Sequence, residues 1–151
     1  MNVRIEAASE QHLWFFAREF SPADEAEAES NGWKSAFEAY ATLHEQSLES
    51  WAGCVDGRVA CLLGVRHHPE GGGALWFHSV PLFVEQGRRL LRPARELFSG
   101  LMSRWAPLHC HVSPENAALV RLAQWVGFEL GPAMPTGHRA LPFHHAVLRR
   151  H

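Results

Sequence analysis

The hydrophobic period of this chain changes at Trp51, and that change constrains the fold more than any other feature. Before it, apolar residues recur every three to four positions. From Trp51 to Val65 they form two short runs on either side of Asp56-Gly57. Asp-Gly readily takes the positive φ angles of a tight hairpin turn, so residues 51–55 and 58–65 are expected as paired antiparallel strands. A helical segment therefore precedes a sheet, and the sheet must carry the core.

The rest of the chain is read against that point. Val3 to Ala7 alternates as a first strand. Ser9 suits a helix N-cap, with Leu13, Phe16, Ala17 and Phe20 at helical spacing behind it. Ser21-Pro22 restarts the chain, and the acidic Ala-Glu stretch from Asp24 to Glu29 fits a solvated helix or a loop. A second helix is expected from Ser35 to Leu48. After the hairpin, Ala74 to Val80 gives a third strand of a meander, with Pro81 at a bulge and Leu82-Phe83-Val84 continuing the extended run. Pro93 opens a helix that covers 94–105, and Leu108 to Val112 is a strand. Ser113 and Pro114 suit the cap and first turn of a helix that Gly127 ends. Two strands, 128–130 and 141–148, close the chain around a Pro/Gly loop. The order predicts one α/β domain over residues 1–151. Its centre is a mixed, mostly antiparallel sheet of about seven strands, with about four helices packed on it.

Composition excludes several alternatives. Apolar residues make up 46% and charged residues 20% of the 151, which rules out a disordered chain and suits one packed domain. No apolar run approaches the ~20 residues of a membrane span. Met1 to Glu6 lacks the apolar core of a signal peptide, and the three cysteines form no even framework. A reduced, cytoplasmic compartment is therefore expected. The net charge of −2 hides a division: residues 1–57 carry 11 acidic and 3 basic side chains, and the remainder 5 and 11. Lys34 is the single lysine against 13 arginines. Arginine grips phosphates and carboxylates with a planar fork, and Arg88, Arg89, Arg92 and Arg95 form the strongest polar cluster. An anion site and a solvated arginine-rich surface both fit this count. The slightly acidic whole and the lack of an interleaved aromatic-basic pattern weigh against nucleic acid.

Pro114, Asn116, Leu122, Gly127 and Phe128 share one helix and its exit. Their spacing and the order of elements resemble the GNAT fold of N-acetyltransferases along essentially the full chain. The resemblance implies acetyl-CoA as co-substrate and an amine acceptor. It also implies that the strands ending near Val84 and beginning near Leu108 are neighbours. Those strands would splay into a cleft, with a phosphate-binding loop at its mouth. Such loops read Arg/Gln-x-x-Gly-x-Gly/Ala and hold a pyrophosphate on backbone N–H groups. The best register is Arg89-Leu90-Leu91-Arg92-Pro93-Ala94, which makes Val84 the strand valine. It departs from the pattern where Arg92 replaces a Gly and Pro93 supplies no N–H. Ala123 stands where many members carry a tyrosine that protonates the leaving thiolate.

A narrower resemblance rests on Arg89, Arg92, Ala94 and Arg95, the Asn…Gly-Phe helix, and Leu141-Pro142-Phe143-His144. These are similar to GNAT-like proteins of tailed bacteriophages, relatives of a small internal virion protein among them. That implies a role in the particle, in ejection, or in modifying a host protein, and a place in the host cytoplasm or the virion.

Under this resemblance, Val84, Arg89, Arg92, Ala94 and Asn116 are the expected coenzyme contacts. His78, on the strand before the loop, is the expected general base, since an imidazole suits removal of a proton from an amine. Ser113 lies close to where the thiolate would leave and could return its proton, although a helix cap fully explains a Ser before Pro. His109 and His111 share one strand face, a spacing found in metal sites, with His67, His68, His144 and His145 as further donors. Spacing fixes no third ligand, so no metal site is assigned. Two functions follow. One is an acyl-CoA-dependent N-acyltransferase with an atypical coenzyme loop and no tyrosine acid. The other is a non-catalytic GNAT-fold protein that contacts a virion or host partner. The acceptor and the oligomeric state are not readable.

Overall fold

The computed structural model describes residues 2–137 and 140–150. The chain runs β1 (Val3–Ala7), α1 (Glu10–Ala17), α2 (Pro22–Ser30), α3 (Ala36–Gln46), β2 (Glu49–Val55), β3 (Arg58–His67) and β4 (Gly73–Ser79). There follow α4 (Pro81–Gln86), a 3-10 turn (Gly87–Leu90), α5 (Leu91–Trp105), β5 (Leu108–Val112), α6 (Ala117–Val126), β6 (Glu129–Thr136) and β7 (Leu141–Leu148). The seven strands expected from the sequence form one sheet, in the order β1-β2-β3-β4-β5-β7-β6. Every neighbouring pair is antiparallel except β4 and β5.

Local chemistry explains the elements. Ser9, Ser21 and Ser35 cap the first three helices, each hydroxyl accepting an N–H three residues on. At α1 and α2 the side chains of His12 and Asp24 return a bond to the cap's own N–H, completing a reciprocal box. Asp56 and Gly57 take φ of 50° and 80°, the turn that fixes the β2–β3 register. One buried cluster joins Leu13 and Phe16 of α1 to Ala52, Leu62 and Val80. A second joins Leu101 of α5 to Leu63, Val65, Leu108, Val112 and Ala146. Gly64 lies under the indole of Trp76, whose Nε1 donates to Ser47 Oγ at 2.8 Å. Among the described residues no helix is long and apolar enough to cross a membrane.

Three expectations need correction, and a fourth leaves helix and loop open. The run Leu82-Phe83-Val84 is not extended. Pro81 cannot donate to a ladder but suits a helix's first turn, and Phe83 N–H bonds Val80 O at 2.8 Å, so 81–86 coils as α4. The Arg89–Ala94 segment is not a loop either, because the 3-10 turn feeds straight into α5 and buries Leu90. The acidic stretch is a capped helix, α2. Finally, the Pro/Gly segment after Leu130 pairs with β7, with a bulge between Leu130 and Ala133. Pro132 and Pro135 are tolerated there because β6 is an edge strand. The six α-helices and one 3-10 turn among the described residues exceed the expected four, chiefly through α2 and α4.

Candidate functional site

β4 and β5 are neighbours, and they part almost at once. Their parallel pairing covers only Gly73 with Leu108 and Ala74 with His109. Beyond that root the strands diverge around a cavity of about 410 Å³, lined by Leu75, Trp76 and Phe77 of β4 and by Cys110, His111 and Val112 of β5. Leu119, Leu122 and Ala123 of α6 form part of its wall. A strand that loses its ladder partner presents main-chain groups to an extended ligand. Leu75 to Ser79 have no β5 partner on that side. The splayed cleft expected from the sequence is present, with its β4 edge ending at Ser79 rather than near Val84.

The sequence-derived residues are distributed unevenly around it. Val84 stands on α4 with 73% of its surface exposed and takes no strand position. Ala94 lines a small apolar pocket beside the cleft, and Phe77 and Leu122 line both. Arg89 is engaged elsewhere, its Nη1 donating to Asp56 Oδ2 at 3.3 Å and Gln86 Oε1 at 3.2 Å. Arg92 is exposed in the first turn of α5. Ala123 is buried and offers no hydroxyl to the cavity. Burial pushes the Cys110 thiol up to about 12, away from the reactive thiolate form.

The expected phosphate cradle is not formed. A free helix N-terminus would offer unpaired N–H groups, but Leu91 N–H already bonds Arg88 O, and Pro93 has no N–H. The walls of the cleft are mostly apolar. Arg88 and Arg92 are exposed and tied to no carboxylate among the described residues.

His78 does not line the cavity. Its ring is packed against Phe16, Phe20 and Tyr40. Tyr40 Oη lies 2.9 Å from Nδ1, and Asp24 Oδ1 lies 3.6 Å from Nε2, which is buried without a hydrogen bond. Burial holds the imidazole below the ordinary histidine range, opposed by the carboxylates of Asp24 and Glu27. Burial, reinforced by the same two carboxylates, raises the Tyr40 hydroxyl. Both shifts favour the neutral forms of the pair. Sequence spacing could not pair Tyr40 with His78, 38 positions apart.

The cap expected at Ser113 falls to Asn116. Asn116 is the cap of α6, its Oδ1 accepting Leu119 N–H at 3.1 Å. Ser113 closes a turn before it, its Oγ accepting Glu115 N–H at 3.3 Å and its carbonyl accepting Asn116 N–H. A cap at 113 would have drawn Pro114 and Glu115 into the helix. The four-residue turn instead frees the Ser113 hydroxyl proton, which no bond among the described residues uses.

One grouping joins histidines that the sequence named as donors but could not assemble. His68, His109 and His145 meet on the sheet face beside the cavity, each offering a ring nitrogen within 4.8 Å of the others. The signal was the i, i+2 pair on β5, but His145 is supplied by β7 and His68 by the β3–β4 connection. Neither is fixed by sequence distance.

No family model and no curated relative matches the chain. Solved structures do. The aminoglycoside acetyltransferase AAC(6')-Ib, in complex with coenzyme A, superposes with a TM-score of 0.69 at 15% identity, covering 99% of this chain and 95% of that one. The spermidine N-acetyltransferase from Vibrio cholerae, in complex with CoA and spermine, gives 0.65 at 13% identity over 97% and 94%. The ribosomal-protein-S18-alanine N-acetyltransferase from Escherichia coli gives 0.64 at 19% identity over 97% and 92%. The fold is thus that of the GNAT acetyltransferases.

Proposed function

We propose that the protein is an acyl-CoA-dependent N-acyltransferase whose cleft between β4 and β5 receives the acyl arm. The observation that carries this reading is the two-residue parallel pairing followed by an apolar cavity of about 410 Å³. Such a cavity is of the size that small-molecule sites use. The neighbours solved with coenzyme A lend it support through their shared fold. Bound acyl-CoA would supply the thioester and the thiolate leaving group. Arg88 and Arg92 would hold its phosphates by side chain, in place of the amide cradle that Leu91 and Pro93 do not offer.

His78 then works through Tyr40 rather than by touching the amine. The phenol, which packs on the cavity-lining Trp76 with ring centroids 6.0 Å apart, would take the amine proton as it passes its own to Nδ1, and the resulting imidazolium gains the Asp24 carboxylate at Nε2. Ser113, with its hydroxyl proton free, or water returns a proton to the thiolate, since Ala123 cannot. The acceptor is an amine.

A second reading, a non-catalytic module of the same fold, is favoured by the closed N-terminus of α5. The resemblance to phage GNAT-like proteins would then make a virion or host protein its partner. Acetyl-CoA with a panel of polyamines, aminoglycosides and peptide N-termini separates the two. Amine-dependent release of free thiol supports the enzyme. No release with any amine, in protein shown to be folded, favours the module.

A further inference from the structure

We propose that His68, His109 and His145 form a binding site for one divalent ion of the imidazole-preferring class, such as Zn²⁺, at the root of the cleft. The three side chains come from separate segments and converge without a carboxylate among them. His109 is 8% exposed and stacks on His68, ring centroids 3.8 Å apart and 12° from parallel. His109 Nδ1 and His145 Nε2 are 3.0 Å apart. Two imidazoles on a tetrahedral zinc, at N–Zn of about 2.0–2.1 Å, stand about 3.3 Å apart, so the spacing of this pair already fits, and the near-parallel rings need to turn about their side-chain bonds to aim their lone pairs at one ion.

The backbone supports the convergence. His111 faces His145 across the β5–β7 ladder, which sets His145 on the diagonal from His109, on the same sheet face. Ala74 pairs with His109, and its short side chain leaves room for His68 to lie over the β5 ring. An ion would replace the His109–His145 contact. It would gain three nitrogen ligands, a set that suits zinc, nickel, copper or cobalt rather than calcium or magnesium. A fourth position faces the cavity, which His68, His109 and His111 help to line.

The location gives such an ion a consequence. His109 belongs to the last β4–β5 pair before the strands part. His68 reaches it from the β3–β4 connection, and His145 from β7. An ion here would clip both walls of the cleft together at their junction. The site stands on the histidine geometry and does not depend on acyl transfer.

The test is a titration of chelator-stripped protein with Zn²⁺ by calorimetry and with Co²⁺ by visible absorption. The parent is expected to bind one ion saturably, with the intense Co²⁺ bands of a site of low coordination number. His68→Ala and His145→Ala should each weaken binding at least about tenfold, because losing a ligand costs no less than losing its outer partner. His67→Ala, one residue from the site and exposed, should bind as the parent does. His145→Gln serves if the alanine variant melts below the parent without metal. The proposal is overturned by no saturable binding, by undiminished binding in the His68 or His145 variants, or by an equal loss in His67→Ala.

Discussion

Glu49→Gln removes the charge from the best-connected carboxylate in the molecule. At the start of β2, Glu49 accepts Arg104 Nε at 2.7 Å, Arg104 Nη2 at 2.6 Å, Trp105 Nε1 at 2.6 Å and Trp51 Nε1 at 2.8 Å. These bonds tie β2 to the C-terminal turn of α5. The Arg104 guanidinium leads, helped by the two indoles, in pulling the carboxyl from 4.5 down to about 2. Taken at face value that shift is worth about 3 kcal/mol, and solvent screening at the exposed Arg104 side reduces it to about 1–2 kcal/mol. For a domain of this size the variant should melt roughly 3–8 °C below the parent at pH 7.

The carboxyl is more acidic folded than unfolded. Its contribution is therefore full above its unfolded value of 4.5 and is lost as pH falls through about 2. Paired thermal melts by circular dichroism from pH 7 to pH 2 check both points. The gap between parent and variant should close over the acid part of that range. A gap below about 1 °C at pH 7, or one that stays constant to pH 2, would refute the reasoning.

Gly64→Ala should cost about 1–3 kcal/mol in denaturant titrations, because the new methyl meets the Trp76 indole and threatens its bond to Ser47. Arg89→Ala should lower stability by less than about 1 kcal/mol through its exposed Asp56 partner. Arg92→Ala should leave the melt unchanged yet weaken coenzyme A binding several-fold at low salt, measured by calorimetry. His78→Ala and Tyr40→Phe should each lower acyl transfer by ~10²-fold or more. The parent's rate should hold until the pH drops below the ordinary histidine range, as the lowered imidazole requires.

What the sequence made legible follows from where its information lies. The Asp56-Gly57 turn and the serine caps act over three or four residues, so strand pairing and helix starts could be read directly. The count of seven strands and the adjacency of β4 and β5 followed from such local signals and the family likeness, whereas the insertion of β7 between β5 and β6 had no local signal. The segment 81–94 could not be read this way. Pro81 is compatible with a bulged strand and with a helix start, and only the burial of Leu82 and Leu90 decides for coil. The same limit applies to the site. His78 was identifiable as a strand histidine, yet its enclosure depends on Tyr40 and Asp24 from two helices that sequence spacing cannot orient. Ser113 and Asn116 are both good caps, and the turn that chose Asn116 depends on how β5 ends.

The most direct measurement is calorimetric titration of acetyl-CoA into the parent and into Ala123→Leu, followed by thermal melts of both with ligand. Ala123 lines the cavity at 6% exposure, so a larger side chain there narrows the space assigned to the acyl arm. One saturable site is expected in the parent. It should be weakened in the variant, and the parent's stability should rise by about 2.7 kcal/mol at a hundredfold excess over Kd. Absence of saturable binding in the parent, or equal affinity in Ala123→Leu, would contradict the assignment of the β4–β5 cleft to acyl-CoA.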